Sequence, residues 1–121
     1  MIAWVAIAGA VGAVLRFMVD SEFKRKYPSA LPWGTGFINV SGSLIIGVIA
    51  GVVIFHSGAS ELQAIIGTGL CGGYTTFSTA SFETVRLVEQ GRRTMALGYA
   101  VGSLVISVAA CAAGLAIVYA F

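Results

Sequence analysis

Four long apolar stretches alternate with short polar ones along the chain: residues 2–19, 34–55, 62–88 and 95–121. The hydrocarbon core of a bilayer is crossed by about 17–25 helical residues, and each stretch falls in or near that range. The second and fourth carry no charged residue, the first carries Arg16 alone, and the third contains Glu83 and Arg86. The pattern predicts an all-α membrane protein, one integral-membrane unit over residues 1–121 with four transmembrane helices. Residues 20–33, D-S-E-F-K-R-K-Y-P-S-A-L-P-W, hold both prolines and read as a loop with room for a short interfacial helix. Tyr27 and Trp33 suit its headgroup level. Residues 56–61 and 89–94 read as short turns, with Gly91 as the C-cap of the helix before it.

Composition sharpens this picture. Hydrophobic residues make up 58% of the 121, and charged residues only 10%, against roughly a quarter in soluble domains. The net charge of +2 is carried in short loops and implies no nucleic-acid partner. Cys71 and Cys111 lie in apolar segments without metal-ligand spacing and read as small buried hydrophobes. No basic n-region precedes the first apolar stretch, so it reads as a span rather than a cleaved signal. With four spans, Lys24, Arg25, Lys26, Arg92 and Arg93 fall on one side, together with Arg16 and Arg86 near the helix ends. The positive-inside rule then places those loops in the cytoplasm and both termini outside it.

Polar residues inside the spans carry the candidate chemistry. Asn39, Ser43, Gly47 and Gly51 recur every four residues on one helix face. Gly47 and Gly51 read as a close-packing pair, whereas Asn39 must face another helix or a wet cavity and can donate to an anion. Tyr99, Ser103, Ser107 and Cys111 repeat the same spacing. A four-residue step drifts about 40° from the helical turn, so these form a slanted stripe, read as a polar path with a packing face as the plainer alternative. Arg16 has Asp20 four residues on, and reads equally as a snorkelling ion-paired arginine or as a positive charge at the mouth of an anion route. Glu83 lies deeper and is expected to be hydrogen-bonded or paired.

The third stretch contains C-G-G-Y-T-T-F-S-T-A-S-F-E at 71–83. Gly72 and Gly73 weaken a helix there, and the clustered Thr and Ser compete for backbone bonds. A break over Gly72–Thr76 would lie near the membrane midplane, where free backbone groups are tolerated only inside protein or at a cavity. Freed carbonyls then suit cations and a helix N-terminus suits anions.

These residues resemble the Fluc (CrcB-type) fluoride channels along nearly the whole chain. The matching motifs are G-x-x-G-x-x-x-R at Gly9, Gly12 and Arg16; N-x-x-G-S at Asn39, Gly42 and Ser43; and G-x-C-G-G-x-T-T-F-S-T from Gly69 to Thr79. The resemblance implies an antiparallel dimer of four-helix subunits, with the third helix broken. It implies a structural sodium ion at the dimer axis, held by the backbone carbonyls of Gly72 and Thr75. It implies a fluoride pore in which Phe77 turns its ring edge to the anion and Asn39 donates its amide. Ser78 and Thr79 would face the path, and Tyr99, Ser103 and Ser107 would form a hydroxyl track, with Cys111 where a threonine is usual. Arg16 would stand at the cytoplasmic vestibule, and Ser43 and Glu83 would be structural polar residues. The expected function is passive fluoride export across the inner membrane of a bacterial cell.

Two features depart from the family pattern. Ala80 stands where a second phenylalanine is usual, and Phe82 points about 200° away from that position. The charge bias is also strong and one-way. Together they suggest one half of a heterodimer whose partner has the opposite bias. A fluoride/proton antiporter and a small multidrug-type exporter are the competing readings, and both need a titrating group in the path. Enzyme activity lacks support, since His56 has no partner suited to catalysis.

Overall fold

The structure of the chain, a computed structural model, describes residues 2–29, 31–56 and 60–121. Those residues are all-helical, in five elements. Helix α1 is Ile2–Lys26 and α2 is Trp33–Phe55. Helix α3 covers residues 60–74, with Gln63–Cys71 wound as a π-helix between short α-helical ends. Helix α4 is Ser78–Glu89 and α5 is Arg93–Ala120. By length and composition α1, α2 and α5 can each cross a membrane. Most of the expected 56–61 turn, residues 57–59, lies outside the described residues.

Helix α1 runs seven residues past the expected end at Val19, through the stretch read as loop. Its polar end supports itself along one face. Lys24 pairs with Asp20 at 3.1 Å and Lys26 with Glu22 at 3.5 Å, both at i,i+4 spacing, while Arg25 pairs with Glu22. Such pairs each add a few tenths of a kcal/mol to a helix, and the helix stops just short of Pro28, which disfavours helix in the residue before it. Pro32 immediately precedes α2. Between α4 and α5, Gly91 takes φ 78°. Its N–H donates to the Val88 carbonyl at 3.0 Å and that of Arg92 to Leu87 at 2.9 Å, a Schellman closure that requires the left-handed backbone glycine tolerates.

Close approaches between backbones set the packing. Helices α2 and α5 lie parallel and in extensive contact. A Cβ at Gly47 would overlap the Cys111 carbonyl, and one at Gly51 would come within 2.9 Å of the Val118 side chain. One at Gly114 would meet Leu44 and Val48 backbone atoms at 2.6 and 2.7 Å. Beyond these, His56 Nε2 lies 3.0 Å from the Val118 carbonyl. The Gly47/Gly51 pair is thus a packing surface of the small-xxx-small kind.

Helices α1 and α3 also run parallel. Val5 faces Gly69, Gly12 faces Leu70 and Tyr74, and a Cβ on Gly73 would overlap the Gly9 carbonyl. Because α1 ends where α2 begins, and α4 ends where α5 begins, Lys24, Arg25, Lys26, Arg92 and Arg93 gather at one end of the bundle. A small core of Leu87, Ala96 and Tyr99 joins α4 to α5 near that end.

Candidate functional site

The helical path between Ser60 and Glu89 is interrupted at Thr75, Thr76 and Phe77. Gly72 and Gly73, read as the start of the break, remain helical. Gly73 is instead needed for the approach of Gly9. The chain leaves the helix at Thr75, whose backbone is extended at φ −79° and ψ 158°. Its N–H and its hydroxyl both donate to the Cys71 carbonyl, each at 2.8 Å.

Asn39, from α2, grips the next residue in both directions. Its Nδ2 donates to the Thr76 carbonyl at 2.9 Å, and its Oδ1 accepts the Thr76 N–H at 2.8 Å. Thr76 is buried, and its own Oγ1 accepts the Thr79 N–H at 3.2 Å, satisfying one of the orphan donors of α4. Gly42 makes room for this arrangement, since a Cβ there would overlap the Thr75 methyl. Ser41 Oγ and the Tyr74 hydroxyl, 3.0 Å apart, brace the same region.

A groove of about 610 Å³ opens beside the break. Asn39 and Ser43 line it from α2, Phe77 from the break, and Tyr99, Ser103 and Ser107 from α5; Ala80 is in the same wall. Six sequence-predicted residues from three separate stretches thus share one trough. The Phe77 ring is 86% exposed and projects from the interruption. Tyr99 is buried, and its hydroxyl has no hydrogen-bond partner among the described residues.

Other expected residues lie elsewhere. Ser78 and Thr79 stand at the start of α4, outside the groove wall, where Ser78 Oγ is 3.4 Å from Thr76 Oγ1. Cys111 also falls outside it, with its backbone against Gly47. Three steps of about 40° from Tyr99 carry that position some 120° around α5, off the stripe and into the α2 contact. Asp20 is paired with Lys24, and the described ion pairs include none to half-buried Arg16. Glu83 is half-buried and accepts the hydroxyl of buried Thr35 at 2.5 Å. Thr35, Thr76, Ser81 and Thr84 were not singled out from the sequence. The last three line the groove, and the four-residue spacing that marks α5 also links Phe77 to Ser81 and Ala80 to Thr84.

The donor set at the break fits a hard monovalent cation. The N–H that would close an α-helical bond to the Gly72 carbonyl is that of Thr76, which Asn39 takes. The Thr75 carbonyl belongs to the interruption itself. Nothing lies within 4 Å of where a Cβ on Gly72 would stand, so the outer side of the helix is open at Gly72. No group of three or more His, Cys, Asp or Glu that could hold a metal occurs among the described residues. A cation here would be held by neutral backbone oxygens, as at other broken membrane helices.

Comparison with known proteins decides the family. The family described as CrcB-like protein, Camphor Resistance (CrcB), matches residues 3–115. The chain belongs to the CrcB family. It is 45% identical over 115 residues to a protein of Nitrobacter winogradskyi named fluoride-specific ion channel FluC, covering 94% of this chain and 91% of the relative. It is 44% identical over 111 residues to FluC 1 of Leifsonia xyli, covering 92% and 81%. It is 46% identical over 116 residues to FluC 2 of Cutibacterium acnes, covering 94% of each. The apolar helices and this kinship make the CrcB chain a multi-pass membrane protein.

Proposed function

We propose that this chain is a subunit of a passive, fluoride-selective channel that lets fluoride leave the bacterial cytoplasm and so protects against its toxicity. The observation that carries this is the groove, in which Phe77, Asn39 and the Tyr99–Ser103–Ser107 stripe converge beside a helix break. The names of the relatives, fluoride-specific ion channels, agree with it. Fluoride is small and strongly hydrated, so a pore for it must replace water with closely placed donors. The Ser103 and Ser107 hydroxyls on α5 supply them, while Tyr99 lines the groove with its own hydroxyl buried in the protein. The positive ring edge of Phe77 supplies a polarised, apolar contact.

The working unit is an antiparallel dimer in the inner membrane, with α3 and α4 together as the fourth crossing and both termini outside the cytoplasm. The gathering of five basic residues at one end of the bundle supports that orientation. The open groove and the bare Phe77 support closure by a second subunit. So do Gly98 and Gly102, where an added Cβ would meet nothing within 4 Å. The Gly72 and Thr75 carbonyls of both subunits hold a structural sodium ion at the break. Arg16 sits at the cytoplasmic vestibule.

The partner is a similar subunit of opposite charge bias. Ala80 supports this reading, because a groove lined by Ala80 lacks the second aromatic of the family pattern. Nitrobacter hamburgensis has two relatives of the chain, named FluC 1 and FluC 2, in keeping with paired subunits. The deciding experiment is fluoride efflux from liposomes containing the purified chain alone, with Ala80→Phe in parallel. Weak efflux that rises with the phenylalanine supports pairing, and full efflux from the unaltered chain overturns it. Absence of fluoride flux both alone and with an oppositely biased partner would overturn the channel itself.

A further inference from the structure

We infer that Asn39 is a positioning residue for the carbonyls at the helix break, and that its carboxamide is what keeps the Gly72 carbonyl free. In an unbroken α-helix the Gly72 carbonyl would accept the N–H of Thr76 four residues on. That N–H points instead to Asn39 Oδ1 at 2.8 Å, while Asn39 Nδ2 holds the Thr76 carbonyl at 2.9 Å. A side chain with one acceptor and one donor therefore satisfies both polar groups of a single peptide residue. It removes the N–H that the Gly72 carbonyl would otherwise accept.

Neither interaction is replaceable by lipid, which has no hydrogen bonds to offer. A chain without Asn39 has a simpler way to satisfy Thr76: extend α3 by one residue and give the N–H to Gly72. Local sequence does not prevent this, since Gly72 and Gly73 are already helical. The interruption is thus imposed from α2, 37 positions away along the chain. The second N–H of the Asn39 amide is not needed for this grip and remains available to the groove that Asn39 lines. One residue serves both faces of the break, the carbonyl side and the groove side.

The inference rests on the proposed cation site, and the test separates the two. The chain's single Gly-Gly pair is Gly72–Gly73, so protein carrying 13C-carbonyl glycine and 15N-glycine reports one carbonyl, that of Gly72, through its bond to Gly73. Full-length protein in lipid is compared in sodium chloride and in N-methylglucamine chloride, for the unaltered chain, Asn39→Leu and Asn39→Asp. In the unaltered chain the Gly72 carbonyl signal moves with sodium. In Asn39→Leu it takes a hydrogen-bonded helical position in N-methylglucamine chloride, and the sodium concentration that half-saturates its movement rises tenfold or more. Asn39→Asp keeps the acceptor for the Thr76 N–H and loses the donor to the Thr76 carbonyl; because the acceptor alone draws that N–H away from Gly72, the Gly72 carbonyl stays free and sodium acts at concentrations no higher than for the unaltered chain. That variant also carries the test where the leucine variant does not fold. A Gly72 signal unchanged by leucine, or a sodium response abolished by aspartate, overturns the inference. A signal indifferent to sodium in the unaltered chain but moved by leucine supports the grip of Asn39 and overturns the cation reading.

Discussion

Thr35 donates its hydroxyl to the Glu83 carboxyl at 2.5 Å, tying the start of α2 to the middle of α4. Thr35 is 1% exposed and Glu83 half-buried, so the acid has one protein donor in a place poor in water. Thr35→Val keeps the shape and removes the donor. Leaving a buried acceptor unsatisfied costs about 1–3 kcal/mol, and the thermal midpoint of the purified protein should fall accordingly. Adding Glu83→Gln should recover part of that loss, as coupled partners do in a double-mutant cycle. Additive losses would mean that the contact carries no energy.

Gly47 and Gly102 are predicted to respond oppositely to enlargement. A Cβ at Gly47 overlaps the Cys111 carbonyl, whereas one at Gly102 meets open space. Gly47→Ala should destabilise the subunit by about 1–3 kcal/mol, the usual range for overpacking. Gly102→Leu should leave the fold of the subunit intact and lower only its association, read by cross-linking in membranes.

Phe77→Ile and Asn39→Asp each disturb the groove on a different side. Phe77→Ile removes the ring edge without altering the backbone grip, so fluoride efflux should fall at least tenfold while the dimer remains assembled. Asn39→Asp puts a negative charge in the groove wall and should lower efflux at least as far. Unchanged flux in both variants would remove these residues from the pore.

Orientation should follow the basic end of the bundle. Replacing Lys24, Arg25, Lys26, Arg92 and Arg93 with neutral residues, and adding arginines between positions 56 and 61, should invert the chain. A reporter on the C-terminus, active only on one side of the membrane, reads the result. Retention of the original orientation would show that something other than these charges decides it.

How far the sequence could be read depended on the range of the interaction. The Gly47/Gly51 packing face and the Gly91 turn were legible, because each is a property of spacing or of one residue's backbone freedom. The stripe of Tyr99, Ser103 and Ser107 was legible for the same reason, although simple four-residue counting carried it one step too far, to Cys111. The end of α1 was misread as loop because charged residues were weighed singly, while Asp20–Lys24 and Glu22–Lys26 stabilise the helix as pairs. The break was expected three residues too early. Glycine weakens a helix locally, but Gly72 and Gly73 stay helical, with Gly73 packed on Gly9, and the helix ends at Thr75, just before Thr76 is gripped by Asn39. No local rule contains a partner 37 positions distant. The π-helical winding of Gln63–Cys71 left no mark in the apolar pattern that we could read.

On the proposed dimeric reading, the groove has a consequence for the chain before it meets a partner. Its walls carry hydroxyls and an amide, and its open side would face acyl tails while the chain is alone. Hydrocarbon cannot solvate those groups, and water that entered to do so would have no roof to retain it. A solitary subunit is therefore caught between a dry trough and a leaking one. Wetting of the trough is thus itself a sign of assembly, and a solvent-sensitive dye placed on Ser107→Cys would show a subunit going from oil to water at the moment it is covered.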